Sequence, residues 1–152
     1  MSGLEQMYQQ VIIDHARERH GHGLADSPGR VGESFQVNPV CGDEVRLRVA
    51  VDGDRITGVT WEGHGCSISQ ASVSVLHDLV EGATVRDAAE IAATFRALMD
   101  ARGEPPDSET EELLGDGAAF VGVGRYPARI KCALLGWMAL KDALIQVEKE
   151  KT

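Results

Sequence analysis

Val45-Arg46-Leu47-Arg48-Val49-Ala50-Val51-Asp52-Gly53-Asp54-Arg55-Ile56-Thr57-Gly58-Val59-Thr60-Trp61 is the stretch on which the fold turns. Val45, Leu47, Val49 and Val51 alternate with Arg46, Arg48 and Ala50, the period of two expected of a half-buried strand. Asp52-Gly53-Asp54 reads as a hairpin turn, with Gly53 supplying the positive φ such turns require. Ile56, Thr57, Val59, Thr60 and Trp61 carry the returning strand. Upstream, Phe35 and Val37 alternate with Ser34, Gln36 and Asn38 and predict one more strand. Three short antiparallel strands are all the β-structure that the pattern contains.

Around this small sheet the period is helical. Leu4, Met7, Tyr8, Val11, Ile12 and His15 form one stripe that ends near Gly21-His22-Gly23, and a loop follows from Ala25 to Gly32. Past Cys66, the residues Ile68, Ala71, Ser72, Val75, Leu76 and Leu79 form a second stripe that stops at Gly82. Thr84 with Asp87 resembles a capping box, and Ala88, Ile91, Ala92, Phe95, Leu98 and Met99 line the helix it opens. Gly103-Glu104-Pro105-Pro106-Asp107 breaks the chain before a short acidic helix from Ser108 to Leu114. Gly115, Gly117, Gly122 and Gly124 predict a flexible approach to Pro127, which suits a first helical turn. Ile130, Leu134, Trp137, Met138, Leu144 and Val147 continue into a long C-terminal helix. The order of helix, small sheet and helices predicts an α+β fold, a three-stranded antiparallel sheet packed with about five helices. The 152 residues fit one domain spanning 1–152.

Composition narrows the function. No apolar run approaches the ~18–20 residues of a membrane-spanning helix, and Met1-Ser2-Gly3-Leu4-Glu5-Gln6 lacks a basic segment leading into an apolar one. The reading is a soluble, cytoplasmic protein without a membrane partner. Fifteen Lys and Arg against 24 Asp and Glu give a formal charge of −9, which argues against nucleic acid as a partner. Three cysteines are an odd number, so metal binding or thiol chemistry is a better reading than a disulfide framework.

Each cysteine lies at an element boundary. Cys41 and Asp43 sit between the first two strands, in Asn38-Pro39-Val40-Cys41-Gly42-Asp43. Cys66 stands between the third strand and the next helix, and Cys132 falls in the opening turns of the C-terminal helix. Three thiolates and one carboxylate make a four-ligand set of the kind zinc prefers. The bland alternatives are that the cysteines are small, inert core residues and that Asp43 is a turn residue. Cys66 and Cys132 near helix N-termini, with Arg125, Arg129 and Lys131 beside Cys132, predict a lowered thiol pKa. A closed four-ligand site would leave no nucleophile unless one ligand were displaced.

Four motifs, in order and with all three cysteines in place, carry a resemblance. They are Tyr8-Gln9-Gln10-Val11-Ile12-Ile13-Asp14-His15, the segment Asn38 to Asp43, Gly65-Cys66-Ser67-Ile68-Ser69-Gln70-Ala71-Ser72, and Arg129-Ile130-Lys131-Cys132-Ala133. Across nearly its whole length the chain resembles the SufU branch of the IscU-like (NifU N-terminal-like) iron–sulfur cluster assembly proteins. IscU scaffolds carry histidine immediately before the third cysteine, where this chain has Lys131. The long connection containing Pro105-Pro106 resembles the SufU insertion. The resemblance implies the IscU-like α+β fold and a zinc-dependent sulfur carrier. Such a carrier accepts persulfide sulfur from a SufS-type, pyridoxal-phosphate cysteine desulfurase and passes it to the SufBCD machinery. Carried over residue by residue, it makes Cys41, Asp43, Cys66 and Cys132 the Zn2+ ligands and Cys41 the sulfur acceptor, freed when a desulfurase histidine takes over a metal position. The alternatives are a scaffold holding iron or an iron–sulfur cluster on the same residues, and a purely structural zinc module.

Other residues have plainer expectations. His64 is a strand-end residue beside the site, His15, His20 and His22 a solvated helix end, and Trp61 and Trp137 core. Arg125 and Arg129 are candidates to meet acidic groups of a desulfurase, and Glu104 to Glu112 is a solvated acidic segment.

Overall fold

The structure is a computed structural model that describes residues 3–150. Helix α1 (Gly3–Glu18) leads into strands β1 (Arg30–Asn38), β2 (Asp43–Asp52) and β3 (Arg55–His64). Helices α2 (Ser67–Val80), α3 (Val85–Asp100) and α4 (Ser108–Leu114) follow, then a 3-10 segment (Gly115–Arg125) and helix α5 (Pro127–Glu150). The sheet is antiparallel in the order β1-β2-β3, and five α-helices accompany it, as the periodicities predict. Each strand runs further than its alternating core, because ladder pairs continue from Arg30↔Val51 through Asn38↔Asp43. The residues from 30 onward expected in a loop therefore belong to β1.

One face of the sheet is apolar. Val45, Leu47, Val49 and Val51 of β2 and Ile56, Val59 and Trp61 of β3 are fully or almost fully buried. Helix α5 lies along β1 and β2 and α2 along β3, which places the core between sheet and helices. Gly32 permits the close approach of α5, since a side-chain carbon there would run into the Ala143 carbonyl and Val147. Helix α2 is buried from Ser69 to Leu76, and its small polar residues are satisfied by partners. Ser72 Oγ donates to the Ala133 carbonyl at 2.6 Å and accepts from Trp137 Nε1 at 3.0 Å. Phe95 of α3 stacks on Trp137 at 4.7 Å and meets Phe120 edge-on at 5.6 Å.

Three expectations need correction. The glycine-rich approach to Pro127 is a regular 3-10 segment with Gly117, Ala118, Ala119, Phe120, Val123 and Gly124 buried. Gly124 serves close approach rather than flexibility: a side-chain carbon there would lie 3.2 Å from the Met99 carbonyl oxygen. The α1 stripe is covered only toward its C-terminal end. Leu4 and Met7 are both 54% exposed, and Leu4 overhangs a groove of about 470 Å³ lined also by Tyr8, Ile68, Val121, Tyr126 and Arg129. Met138, read with the apolar residues of α5, is likewise exposed.

The histidines differ most from expectation. His15 is 4% exposed and accounts for both ring nitrogens, with Nδ1 2.8 Å from Ser74 Oγ and Nε2 2.9 Å from Asp116 Oδ2. His20 lies between Asp78 and Glu18, and its carbonyl accepts from Trp61 Nε1 at 2.7 Å. His22 sets its ring edge-on to Trp61 at 5.1 Å. At His15 and His20 the end of α1 is thus a hydrogen-bonded joint to α2 and β3, while His22 is exposed as expected. Trp61 and Trp137 are core residues, as read.

Phe95→Ala should cost about 3–5 kcal/mol, because it opens a cavity beneath two aromatic rings; urea unfolding monitored by circular dichroism measures it. The Asp78 and then the Glu18 hydrogen bonds raise the His20 pKa above the ordinary 6.5. A raised folded-state pKa means that this contribution is complete below 6.5 and is lost as pH rises through the folded value. The urea midpoint of the wild type should therefore exceed that of His20→Asn most at acid pH, and the gap should close with rising pH.

Candidate metal centre

Two chain reversals at one end of the sheet bring the candidate ligands together. Asn38 and Asp43 pair across the β1–β2 ladder, so Pro39 to Gly42 form a tight connection, with Gly42 at φ +73° and its N–H donating to the Asn38 carbonyl at 2.8 Å. Cys41 sits exposed on this turn beside Val40, which is 78% exposed. Asp43, one residue beyond Gly42, is completely buried. Cys66 follows β3 as the N-cap of α2, with extended backbone, and its thiol makes no cap hydrogen bond. Cys132 lies in the second turn of α5 and is 3% exposed.

Asp43 joins the two reversals. Its Oδ1 accepts the backbone N–H of Cys66 at 2.8 Å, while its Oδ2 lies 3.8 Å from Cys66 Sγ. Gly65 makes this possible. Its φ of +151° suits glycine, and a side-chain carbon there would collide with the Asp43 carboxylate. On the far side, Cys132 Sγ lies 3.6 Å from Cys41 Sγ. Ligand atoms of Cys41, Asp43 and Cys132 all lie within 4.8 Å of one another, while Cys66 stands outside this group and meets it only through its contacts with Asp43 and the Cys132 thiol.

These spacings fit a bound ion. Tetrahedral zinc with Zn–S bonds near 2.3 Å holds two thiolates about 3.8 Å apart, and the Cys41 and Cys132 sulfurs already lie at 3.6 Å. Three soft thiolates with one carboxylate are donors that zinc or iron accepts, whereas magnesium and calcium take oxygen ligands. His64 ends β3 with its side chain 72% exposed and Nε2 3.7 Å from Glu44 Oε2. His15, His20 and Asp78 also bring ligand atoms within 4.8 Å of one another. There, however, all four imidazole nitrogens already have hydroxyl or carboxylate partners.

The expected lowering of the thiol pKa fails at Cys132. Cys66 caps α2, where the helix end favours an anion. Cys132 lies beyond the first turn of α5, where that effect fades. Its burial, followed by hydrogen bonding with Asp43, Cys41 and Cys66, pushes its thiol pKa well up instead of down. A bound metal cation would reverse this, because a coordinated thiol is deprotonated outright. Arg125, Arg129 and Lys131 are exposed, and the Arg129 guanidinium lies over the Tyr126 ring at 4.7 Å.

Sequence reasoning passed over several supports of the site. Buried Asn38 places Nδ2 3.9 Å from Cys132 Sγ. Buried Ser69 donates to the Cys66 carbonyl at 3.0 Å and lies 3.9 Å from its sulfur. Ser69 was legible as a hydroxyl residue three positions past a helix start, a spacing typical of helix capping. Asn38 was not, because its partner is 94 residues away.

The chain matches the family of NifU-like N-terminal domains over residues 7–150, which include all four candidate ligands. It is 37% identical to the iron–sulfur cluster assembly scaffold protein IscU of Streptococcus pyogenes serotype M1, over 95% of this chain and 86% of that protein. It is 36% identical to the zinc-dependent sulfurtransferase SufU of Bacillus subtilis, over 97% of this chain and 95% of that one. A crystal structure of a putative iron–sulfur cluster assembly scaffold protein for the SUF system, from Fervidobacterium islandicum AW-1, superposes with a TM-score of 0.75. It is 36% identical and covers 92% of this chain and 98% of that one. The fold, the cluster of thiols around a buried carboxylate and the length of these matches agree: the chain belongs to the NifU-like N-terminal domain family, among relatives that are iron–sulfur assembly scaffolds or sulfur-transfer proteins.

Proposed function

We propose that this protein is a zinc-dependent sulfur carrier of iron–sulfur cluster assembly, with Cys41 as the sulfur acceptor and Cys41, Asp43, Cys66 and Cys132 as the metal ligands. The observation that carries the reading is the unequal setting of the three thiols. Cys132 is buried in a helix, and Cys66, exposed like Cys41, is tied through its backbone to Asp43 and Ser69. Cys41 is exposed at the tip of a tight turn, beside a glycine whose surroundings are open. It is the sulfur best placed to leave the cluster and meet a donor.

When bound, zinc would keep the cysteines as thiolates and supply folding energy. The remaining chemistry is thiol exchange. The Cys41 thiolate attacks the outer sulfur of a donor persulfide, a new S–S bond forms at Cys41, and the donor's S–S bond breaks. The electron pair leaves on the donor cysteine as a thiolate, so no external oxidant or reductant is consumed. The donor on this reading is a SufS-type cysteine desulfurase and the receiver the SufBCD complex. The name of the Bacillus subtilis relative supports the assignment.

An iron–sulfur scaffold is the second reading, favoured by the equally close IscU of Streptococcus pyogenes. Metal analysis after anaerobic purification separates the two. About one zinc per chain is expected for the carrier, and a coloured, iron-rich product would favour the scaffold. With a SufS-type desulfurase and cysteine, mass spectrometry should find persulfide on Cys41, and Cys41→Ala should take up none. Desulfurase turnover unchanged by the wild-type protein would reject the carrier.

Asp43→Ala should weaken zinc retention by at least about tenfold, because it removes both the one oxygen donor and the anchor of the Cys66 backbone. Transfer of the metal to a competing chelator measures it. Gly65→Ala should act in the same direction with all four candidate ligands retained, since the added methyl collides with the Asp43 carboxylate.

A further inference from the structure

Arg19 follows the last residue of α1 and holds a left-handed backbone at φ +49°, where glycine or asparagine is the ordinary occupant. Its backbone bonds to the His15 carbonyl and the His22 N–H, and its side chain reaches further. One guanidinium nitrogen, Nη2, donates to the Gly63 carbonyl and to Gln70 Oε1, both at 3.2 Å, while the guanidinium carbon stands 5.4 Å from the centre of the Trp61 ring. Gly63 lies near the end of β3, and Gln70, 8% exposed, lies in the first turn of α2. The two acceptors therefore flank the segment that carries Cys66. The backbone closes the same ring, because Gln70 N–H donates to the Cys66 carbonyl at 3.2 Å. No acidic side chain pairs with Arg19 among the ion pairs of the described residues.

We infer that Arg19 is a positioning residue: it clamps the Gly63–Gln70 segment from behind and so keeps Cys66 in the cluster while the unclamped Cys41 turn is the one that opens. This rests on the sulfur-carrier reading and adds to it the reason one thiol is released rather than another. The contrast is local. The Cys41 turn has the single Gly42-to-Asn38 backbone bond, a side chain at Gly42 would touch nothing, and Val40 projects into solvent. The Cys66 segment has Asp43 and Ser69 in front and Arg19 behind.

Arg19→Met keeps the apolar stem and the cost of the backbone conformation but removes the donors, and Gln70→Leu removes only the α2 acceptor. In metal-free protein, hydrogen–deuterium exchange across residues 63–70 should quicken by about tenfold in Arg19→Met and less in Gln70→Leu, with residues 38–45 unchanged. In zinc-loaded wild type, limiting iodoacetamide should first alkylate Cys41; in Arg19→Met the label should divide between Cys41 and Cys66. Arg19→Lys, which keeps the charge but not the planar fork, should fall between them. Unchanged exchange across 63–70 in the variants, with Cys41 still the sole first site of alkylation, overturns the clamp. Should Arg19→Met fail to fold, Gln70→Leu decides the matter by the same two readouts. A wild type that takes no persulfide on Cys41 rejects the carrier function but leaves the metal-free exchange to decide the clamp.

Discussion

A buried carboxylate governs this end of the molecule. Asp43 is wholly removed from solvent, and an isolated ionised carboxylate in such a place would be strongly disfavoured. Its tolerance depends on partners, and the one its backbone neighbourhood supplies is the Cys66 amide. That bond spans 23 residues and holds the β1–β2 turn to the β3–α2 turn, so two cysteines far apart in the chain share one corner of the sheet. Glycine at position 65 is the condition for the contact, because a side chain would occupy the space the carboxylate needs. Cys132 then needs only α5 laid along β1 and β2 to bring its sulfur to Cys41.

The corner gathers like donors into unlike environments. Cys41 stands on a turn, Cys66 at a helix start and Cys132 inside a helix. Burial and proton sharing hold the Cys132 thiol neutral until a cation intervenes, whereas Cys41 is open to solvent and to any macromolecule that approaches. A purely structural site has no need of such inequality. For sulfur transfer it is useful, since a carrier must retain its metal through some ligands while exposing another.

The helical layer supplies the rigidity behind the corner. His15 ties α1 to α2 through Ser74 and to the 3-10 segment through Asp116, and the carbonyl of His20 receives the Trp61 indole. Arg19 extends this joint to the end of β3 and the start of α2. The apolar residues left uncovered at the N-terminal end of α1 border a groove whose other wall includes Ile68, Tyr126 and Arg129.

Local pattern was enough for the strands, the hairpin at Gly53, the cap at Thr84 and the helix begun by Pro127, because these depend on neighbours in the chain. The candidate site was visible as residue types at element boundaries, and the four motifs carried the resemblance that joined them. What depended on distant partners was not legible. The buried 3-10 run at Gly115–Arg125 looked like a flexible glycine stretch, and His15 and His20 looked like solvated histidines, since Ser74, Asp78 and Asp116 lie about sixty to a hundred residues further on. The Cys132 thiol gave the sharpest reversal: its place near a helix start predicted a readily ionised group, and burial against three other candidate ligands made it the opposite. The chain alone determined which elements form and which side chains can bind a metal, because backbone propensity and donor chemistry are local properties. Tertiary structure decided which of those side chains meet and which are buried, because burial and long-range hydrogen bonds exist only once the elements have packed.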